Sequence, residues 1–481
     1  MTRRARAALA FALAFAFAGN AAAQLETPPG ISLEAVAQKW TGDLDGMVAR
    51  HMIRVLTPYS RTHYFIDRGV QRGLVYDAAM QFEKLVNAKY KTGTLKVHVV
   101  MIPTPRDQLL PSLVDGRGDI AAAGLTVTDE RKKLVDFAPP TFQSVSEIAV
   151  TGPGGPALAS ADDLSGREVF VRKSSSYWES LSALNERFAQ EGRKPLVLDP
   201  APEALEDEDL LQMVSAGLIP IVVVDDYLAN FWKKVLPAIQ LHPEIALRTG
   251  ADIAPAYRKD SPQLAALMNG ARKNWGAGSA FLNLSIQRYL KQTKYVKSAT
   301  SGEDLKRFLE LVHFFQKYGD EYKLDWLMMI AQGYQESQLD PKAKSHVGAV
   351  GVMQVMPATG KELDVGDVHQ TEANIHAGVK YVRFMIDEYY QDEPMTELDK
   401  TLFAFASYNC GAGRVRQLRR EAGKLGLDPN VWFGNVERVA AKRIGRETVT
   451  YVRNIYEYAV AYQLAMKQLQ EKKAATESVA K

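Results

Sequence analysis

The rhythm of apolar and polar positions changes after about residue 300. From about residue 50 to 295, strand-like and helix-like segments alternate. Val97 to Ile102 and Ile221 to Val224 are runs of β-branched and apolar residues, whereas Tyr76 to Lys89 and Ser176 to Gln190 carry apolar residues at helical spacing. This alternation predicts an α/β domain with mainly parallel sheets. Beyond residue 300 strand signals are scarce. Leu305, Phe308, Leu309, Val312 and Phe315 follow Gly302 at the spacing of one helix face. Further helical patterns fall near 324–338, 372–390, 398–408 and 447–470. An all-α domain over 303–470 is expected after an α/β domain over 48–296, with the boundary near 297–303. The tail over 471–481 is charged and rich in small residues, which predicts disorder.

Composition narrows the chemistry. The chain has 481 residues, 46% of them hydrophobic, enough for two or three domains with full-sized cores. Its single cysteine, Cys410, excludes an internal disulfide and a cysteine-based zinc site. His346, His369 and His376 lack metal-ligand spacing, and neither a metal nor another cofactor is expected. Arg3, Arg4 and Arg6, an apolar run from Ala7 to Ala18 and Ala21-Ala22-Ala23 read as a secretory signal peptide over 1–23. Gly19-Asn20 keeps that run short of a comfortable membrane span. A polar lead-in with Pro28-Pro29-Gly30 follows over 24–47. The formal net charge of +3 is accounted for by the leader arginines, so the remainder is about neutral, which argues against a nucleic-acid partner.

Within the α/β region, Asp119 to Arg131 runs on through Val135-Asp136-Phe137-Ala138. Leu164 to Val169, Lys173-Ser174-Ser175-Ser176 and Val224-Asp225-Asp226 follow. Arg131 offers a fork for a carboxylate. Ser175, near a helix start, offers a hydroxyl and backbone N–H groups to the same anion. In order and spacing these pieces resemble the amino-acid-type periplasmic solute-binding proteins, over roughly 48–290. The resemblance implies a two-lobed domain with Gly124, Thr126, Arg131 and Ser175 at a ligand carboxylate and Asp225 at its amine. Ser174 stands where the family often has glycine, so a ligand other than a free amino acid, a peptide or muropeptide, is the expectation here.

The helical region holds one carboxylate in an unusual setting. Asp325 is a plausible N-cap for a helix through Trp326, Leu327, Ile330, Ala331 and Tyr334, and Pro341 limits its extent. Glu336 then falls in the last turn. The negative end of the helix dipole disfavours its ionisation there, and burial acts in the same direction. Both keep it protonated near neutral pH, as a general acid requires. Asp340, the nearest acid in sequence, reads as a turn cap before Pro341. Trp326 and Trp432 read as core residues.

Several further motifs follow in order: Ser345, Gly348, Gly351, Met353-Gln354 and Met356-Pro357; Asn374 to Gly378 with Tyr381; Ala406-Ser407-Tyr408-Asn409 with Gly411 and Gly413; and Glu447-Thr448 with Tyr451-Val452. Together with Glu336-Ser337 they resemble the lytic transglycosylases, which share a fold with goose-type lysozyme. The resemblance implies peptidoglycan as substrate and Glu336 as acid and then base. It implies that Tyr408 hydrogen-bonds and positions Glu336. Ser345, Gln354, Asn409 and Glu447 would line the sugar site, with Met353 touching substrate. Cys410 stands where the family commonly has alanine and is expected to be buried and inert. A 1,6-anhydro product is implied because the substrate's own C6 hydroxyl replaces a second carboxylate. A periplasmic location is expected, with peripheral attachment to the outer membrane left open. Two other readings stay open on sequence: a muramidase that uses water, and a binding protein whose helical domain is inactive.

Overall fold

Residues 38–67, 69–293, 302–391 and 393–479 are described by a computed structural model. The predicted signal peptide, most of the lead-in and most of the predicted boundary lie outside these residues. The described end of the lead-in already belongs to the first domain. Asp43 caps the helix Leu44–Ala49, whose Leu44 and Met47 are fully buried in the first lobe.

The α/β domain is built in two lobes. The first carries a five-stranded sheet in the spatial order His98–Pro103, Met52–Thr57, Ile120–Ala121, Ala256–Arg258 and Val135–Phe137. The first three run parallel, and Ala256–Arg258 is antiparallel to both its neighbours. The helix Leu74–Tyr90 buries Val75, Ala79, Phe82 and Val86 on this lobe's core. In the second lobe Phe142–Thr151 lies between Ile221–Asp225 and Gln240–Ile253, antiparallel to both. The expectation of mainly parallel sheets is therefore corrected. Apolar runs mark burial on both faces and carry no sign of strand direction.

The domain beyond Gly302 is all helical apart from isolated bridges, as the spacing predicts. Its main helices are Gly302–Glu321, Trp326–Ser337, Thr371–Tyr389, Glu397–Cys410, Ala412–Lys424 and Arg446–Val479. Trp326 and Trp432 are buried in its core, as expected. The final helix is the longest element, about 50 Å at 1.5 Å per residue. Its Val452, Ile455 and Val460 are fully buried, and each such side chain contributes about 1.5–3 kcal/mol.

That helix also overturns the expected disordered tail. It continues to Val479 and docks on the α/β domain. The Tyr462 hydroxyl donates to the Gly69 carbonyl at 2.6 Å, and Gln468 Oε1 accepts from Tyr59 N–H at 2.6 Å. Lys472 Nζ pairs with Asp209 of the second lobe at 2.9 Å, and Ala475 and Val479 pack against that lobe's core. The charged composition hid a short apolar face and one lysine with a half-buried acidic partner. No described helix is long and apolar enough to cross a membrane.

Candidate active site

Asp325 accepts from Leu327 N–H at 2.8 Å and starts the helix Trp326–Ser337. Gln338 and Leu339, at φ of 56° and 61°, end it. Glu336 therefore sits in the last turn, as the sequence predicts. Burial pushes its carboxyl up from 4.5 to about 7, against a smaller opposing effect of a hydrogen bond from Tyr451. That bond runs from the Tyr451 hydroxyl to Glu336 Oε1 at 2.5 Å. Gln332 Nε2 in turn donates to the Tyr451 oxygen at 3.1 Å. The tyrosine proton is committed to Oε1, so the acid's own proton belongs on Oε2.

The partner differs from the one expected. Tyr408 does not hydrogen-bond Glu336; its hydroxyl donates to the Met353 carbonyl at 2.8 Å. Tyr408 thereby holds the loop that faces the glutamate. Tyr451 takes the carboxylate because the final helix packs along the glutamate helix. Its sequence signal was its place four residues after Glu447, on the same helix face.

The loop 343–356 is fastened from both ends. The Ser337 hydroxyl donates to the Val352 carbonyl at 2.8 Å. Asn374 Oδ1 accepts from Met353 N–H at 2.8 Å, while its Nδ2 donates to the carbonyls of Val350 at 2.8 Å and Val368 at 3.0 Å. Asn374 passes so close to Gly351 that a Cβ there would lie 2.5 Å from its side chain. Gly351 also has φ of 75°, so glycine is required on both counts.

Within this loop Ser345 Oγ accepts from Ala349 N–H at 3.0 Å, and Gln354 Nε2 donates to the Gly351 carbonyl at 2.9 Å. Met353 is fully buried, which corrects its expected substrate contact. Its side chain packs on Gly378, where a Cβ would come within 2.6 Å. Asp340 is exposed and accepts from Lys342 N–H at 2.9 Å, the turn cap expected of it. Cys410 is half-buried, and burial pushes its thiol pKa up, which leaves it a poor nucleophile.

A cavity of about 650 Å³ lies between the helical domain and the first lobe; Gln335 and Tyr451 line it, whereas Glu336, Ser345, Gln354 and Tyr408 do not. Tyr451, Asn409 and Glu447 line it on one side. Asn409 Oδ1 accepts from the Thr448 hydroxyl at 2.7 Å, and Glu447 is exposed in the first turn of the final helix.

A second cavity, of about 380 Å³, lies between the two lobes of the α/β domain. Gly124, Thr126, Arg131 and Ser175 all line it, whereas Asp225 does not. The Asp225 carboxyl is buried, with Oδ1 unpartnered, and burial raises its pKa well above the ordinary value. Arg131 uses its fork to join the lobes, donating to the carbonyls of Thr126 at 2.9 Å and Ser174 at 3.0 Å. Ser175 caps the helix Ser176–Gln190 by accepting from Trp178 N–H at 3.2 Å.

Comparison with known proteins follows this division. Residues 56–279 match the bacterial extracellular solute-binding proteins, family 3, and residues 313–430 match the transglycosylase SLT domain. A membrane-bound lytic murein transglycosylase F of Desulfosudis oleivorans is 30% identical over 443 residues, covering 84% of this chain and 88% of that one. The protein of the same name from Pseudomonas fluorescens is 28% identical over 387 residues, covering 79% and 76%. An ancestral arginine-binding protein bound to arginine is 24% identical, covers 50% of this chain and 98% of its own, and has a TM-score of 0.41. By its match along most of both chains, this protein belongs to the membrane-bound lytic murein transglycosylase F family, and it is a peptidoglycan lytic transglycosylase.

Proposed function

We propose that Glu336 is the acid and then the base of the cleavage, and that the product carries a 1,6-anhydro ring on muramic acid. The observation that carries this reading is the Glu336 carboxyl, half-buried in the last turn of its helix and raised to about 7 by desolvation, with one tyrosine donating to it. Protonated Glu336 gives its Oε2 proton to the glycosidic oxygen between N-acetylmuramic acid and N-acetylglucosamine. The bond from the anomeric carbon to that oxygen breaks, and the leaving sugar departs as an alcohol. The carboxylate left behind removes the proton from the muramoyl C6 hydroxyl, whose oxygen bonds the anomeric carbon. One carboxylate thus serves twice, whereas hydrolytic glycosidases place a second across the bond. Asp340, turned outward as a cap, is not arranged for that second role. Ser345, Gln354, Asn409 and Glu447 would form the walls around the sugars. Product mass spectrometry tests the reading: reducing-end products without the anhydro form would sink it.

The two-lobed domain is assigned a regulatory or targeting role, with a wall-derived peptide or muropeptide as ligand. The support is mechanical. One helix carries Tyr451 against Glu336 and, about 30 Å further along, Lys472 against Asp209. It also touches the first lobe through Tyr462 and Gln468. A ligand that changes the angle between the lobes therefore pulls on the helix that holds the catalytic carboxyl. Turnover by the whole chain that stays constant across peptides and muropeptides would remove this role. The leader sequence and the membrane-bound relatives support a periplasmic, membrane-associated location, which cell fractionation tests.

A further inference from the structure

Among the described side chains only two phenylalanine, tyrosine or tryptophan rings are exposed, Phe384 and Tyr389. Both belong to the helix Thr371–Tyr389, whose buried face is formed by Ile375, Val379, Val382 and Ile386. Phe384 falls off that face, so the core does not call for an aromatic ring there. The two rings are neighbours in a row. Tyr389 meets Phe384 edge to face, Phe384 lies parallel to Tyr381, and Tyr381 meets Tyr408 edge to face. Steps of 6.5, 6.1 and 5.4 Å between ring centres carry the row from Tyr389 to Tyr408, a span of a few sugar rings. Tyr408 borders the reacting carboxyl: burial first, and then the nearby Glu336, raise its hydroxyl pKa.

At its outer end the row opens into a cavity of about 490 Å³, a usual size for a small-ligand site. Tyr389 lines it together with Arg416 and Arg420 of the helix Ala412–Lys424. These arginines stand four residues apart and share a helix face. Both are exposed, and among the described residues neither has an ionic partner. Arg419 is committed instead: it pairs with Glu393 at 3.0 Å and donates to the Pro429 carbonyl at 2.9 Å. Adjacent exposed rings leave apolar surface in water, and such surface marks a binding groove. A pyranose ring has an apolar C–H face that suits an aromatic ring, and a rim of hydroxyl and acetamido oxygens that accept from guanidinium forks. A row continuous with the reaction centre suits a linear polymer of such rings that is already held there.

We infer that Phe384 and Tyr389 form a platform for sugars of the glycan strand remote from the scissile bond, with Arg416 and Arg420 taking the oxygens of the outermost sugar. The inference rests on the transglycosylase reading above and deepens it by naming how much of the strand is held. Tyr381 links the platform to Tyr408 and so to the reacting ring. Contacts far from the bond supply binding energy that positions the reacting centre, so a strand long enough to cover the platform is cut faster than a short one. A short oligomer bound only around the scissile bond gains nothing from it.

The test uses the full-length protein and two peptide-free substrates, a tetrasaccharide and a dodecasaccharide of alternating N-acetylglucosamine and N-acetylmuramic acid. The ratio of kcat/KM per cleavable bond, long over short, is read for wild type, Phe384→Ala, Tyr389→Ala and Tyr389→Phe. Covering one exposed aromatic face corresponds to about tenfold in that ratio. Wild type is expected to prefer the dodecasaccharide by at least about that factor. Phe384→Ala and Tyr389→Ala bring the ratio towards one and leave cleavage of the tetrasaccharide as in wild type, whereas Tyr389→Phe keeps most of the preference. A wild-type ratio near one overturns the inference. Alanine variants that keep the wild-type ratio overturn it too, since the face then belongs to another occupant, as do variants that slow both substrates alike, the mark of a structural role. Absence of lytic product from both substrates would instead overturn the transglycosylase reading, and the inference with it.

Discussion

Replacing Tyr451 by phenylalanine isolates the contact that tunes Glu336. The hydroxyl donates to Oε1 at 2.5 Å and lowers a carboxyl pKa that burial has raised to about 7. A donor to the ionised form favours that form, so its removal must raise the pKa further. A hydrogen bond to a charged group contributes about 1.5–3 kcal/mol. One pKa unit corresponds to about 1.4 kcal/mol, so the upward move is about one pH unit and at most two. The general acid must be protonated in the free enzyme. The profile of kcat/KM against pH should therefore fall above about pH 7 in wild type and about one unit higher in the variant. The rate on the plateau should fall by about 10- to 100-fold, because the carboxyl loses its orientation and Gln332 Nε2 loses its acceptor. The assay is release of soluble fragments from strands at saturating and limiting substrate, from pH 5 to 9. An alkaline limb that stays in place or moves to lower pH would refute the role given to Tyr451.

Three further outcomes follow from the same geometry. Glu336→Gln should lose about 10²–10⁴ in kcat. It should also be more stable than wild type at pH 8 by about 1–3 kcal/mol in urea, because the unfolded carboxyl ionises from about 4.5 whereas the folded one resists to about 7; equal stability at pH 8 would count against burial as the cause. Asn374→Ala removes the partner of one buried N–H and two carbonyls, so stability should fall by about 2–4 kcal/mol and the 343–356 loop should become protease-sensitive; resistance equal to wild type would argue that Asn374 is dispensable there. Lys472→Ala leaves Asp209 without its ammonium beside Glu206 and Glu208, so amide exchange over 466–479 should rise by at least tenfold while that of 326–337 changes little. Unaltered exchange over 466–479 would detach this contact from the docking of the helix.

Local chemistry made the glutamate helix legible. Asp325 supplied a cap, the apolar residues had a single period, and Pro341 limited the end, so the position of Glu336 followed. The turn role of Asp340 was legible for the same reason. The tyrosine partner was not. Tyr408 and Tyr451 stand 72 and 115 residues from Glu336 in the chain, and only helix packing decides which hydroxyl reaches the carboxyl. Met353 sits in a loop, where exposure is the ordinary expectation. Gly378 on a facing helix opens the space that buries it. The tail was misread because Lys472, Ala475 and Val479 gain their partners from a lobe more than two hundred residues earlier. Fold class came through because period-two and helical patterns are local. Strand direction in the second lobe did not, since a buried strand reads the same either way.

The most direct measurement is cleavage of purified strands in water enriched in oxygen-18, with mass spectrometry of the fragments. Attack by the muramoyl C6 hydroxyl predicts fragments ending in 1,6-anhydro muramic acid with no heavy oxygen. A reducing end carrying one oxygen-18 would mean that water is the nucleophile, and would contradict the dual use of Glu336.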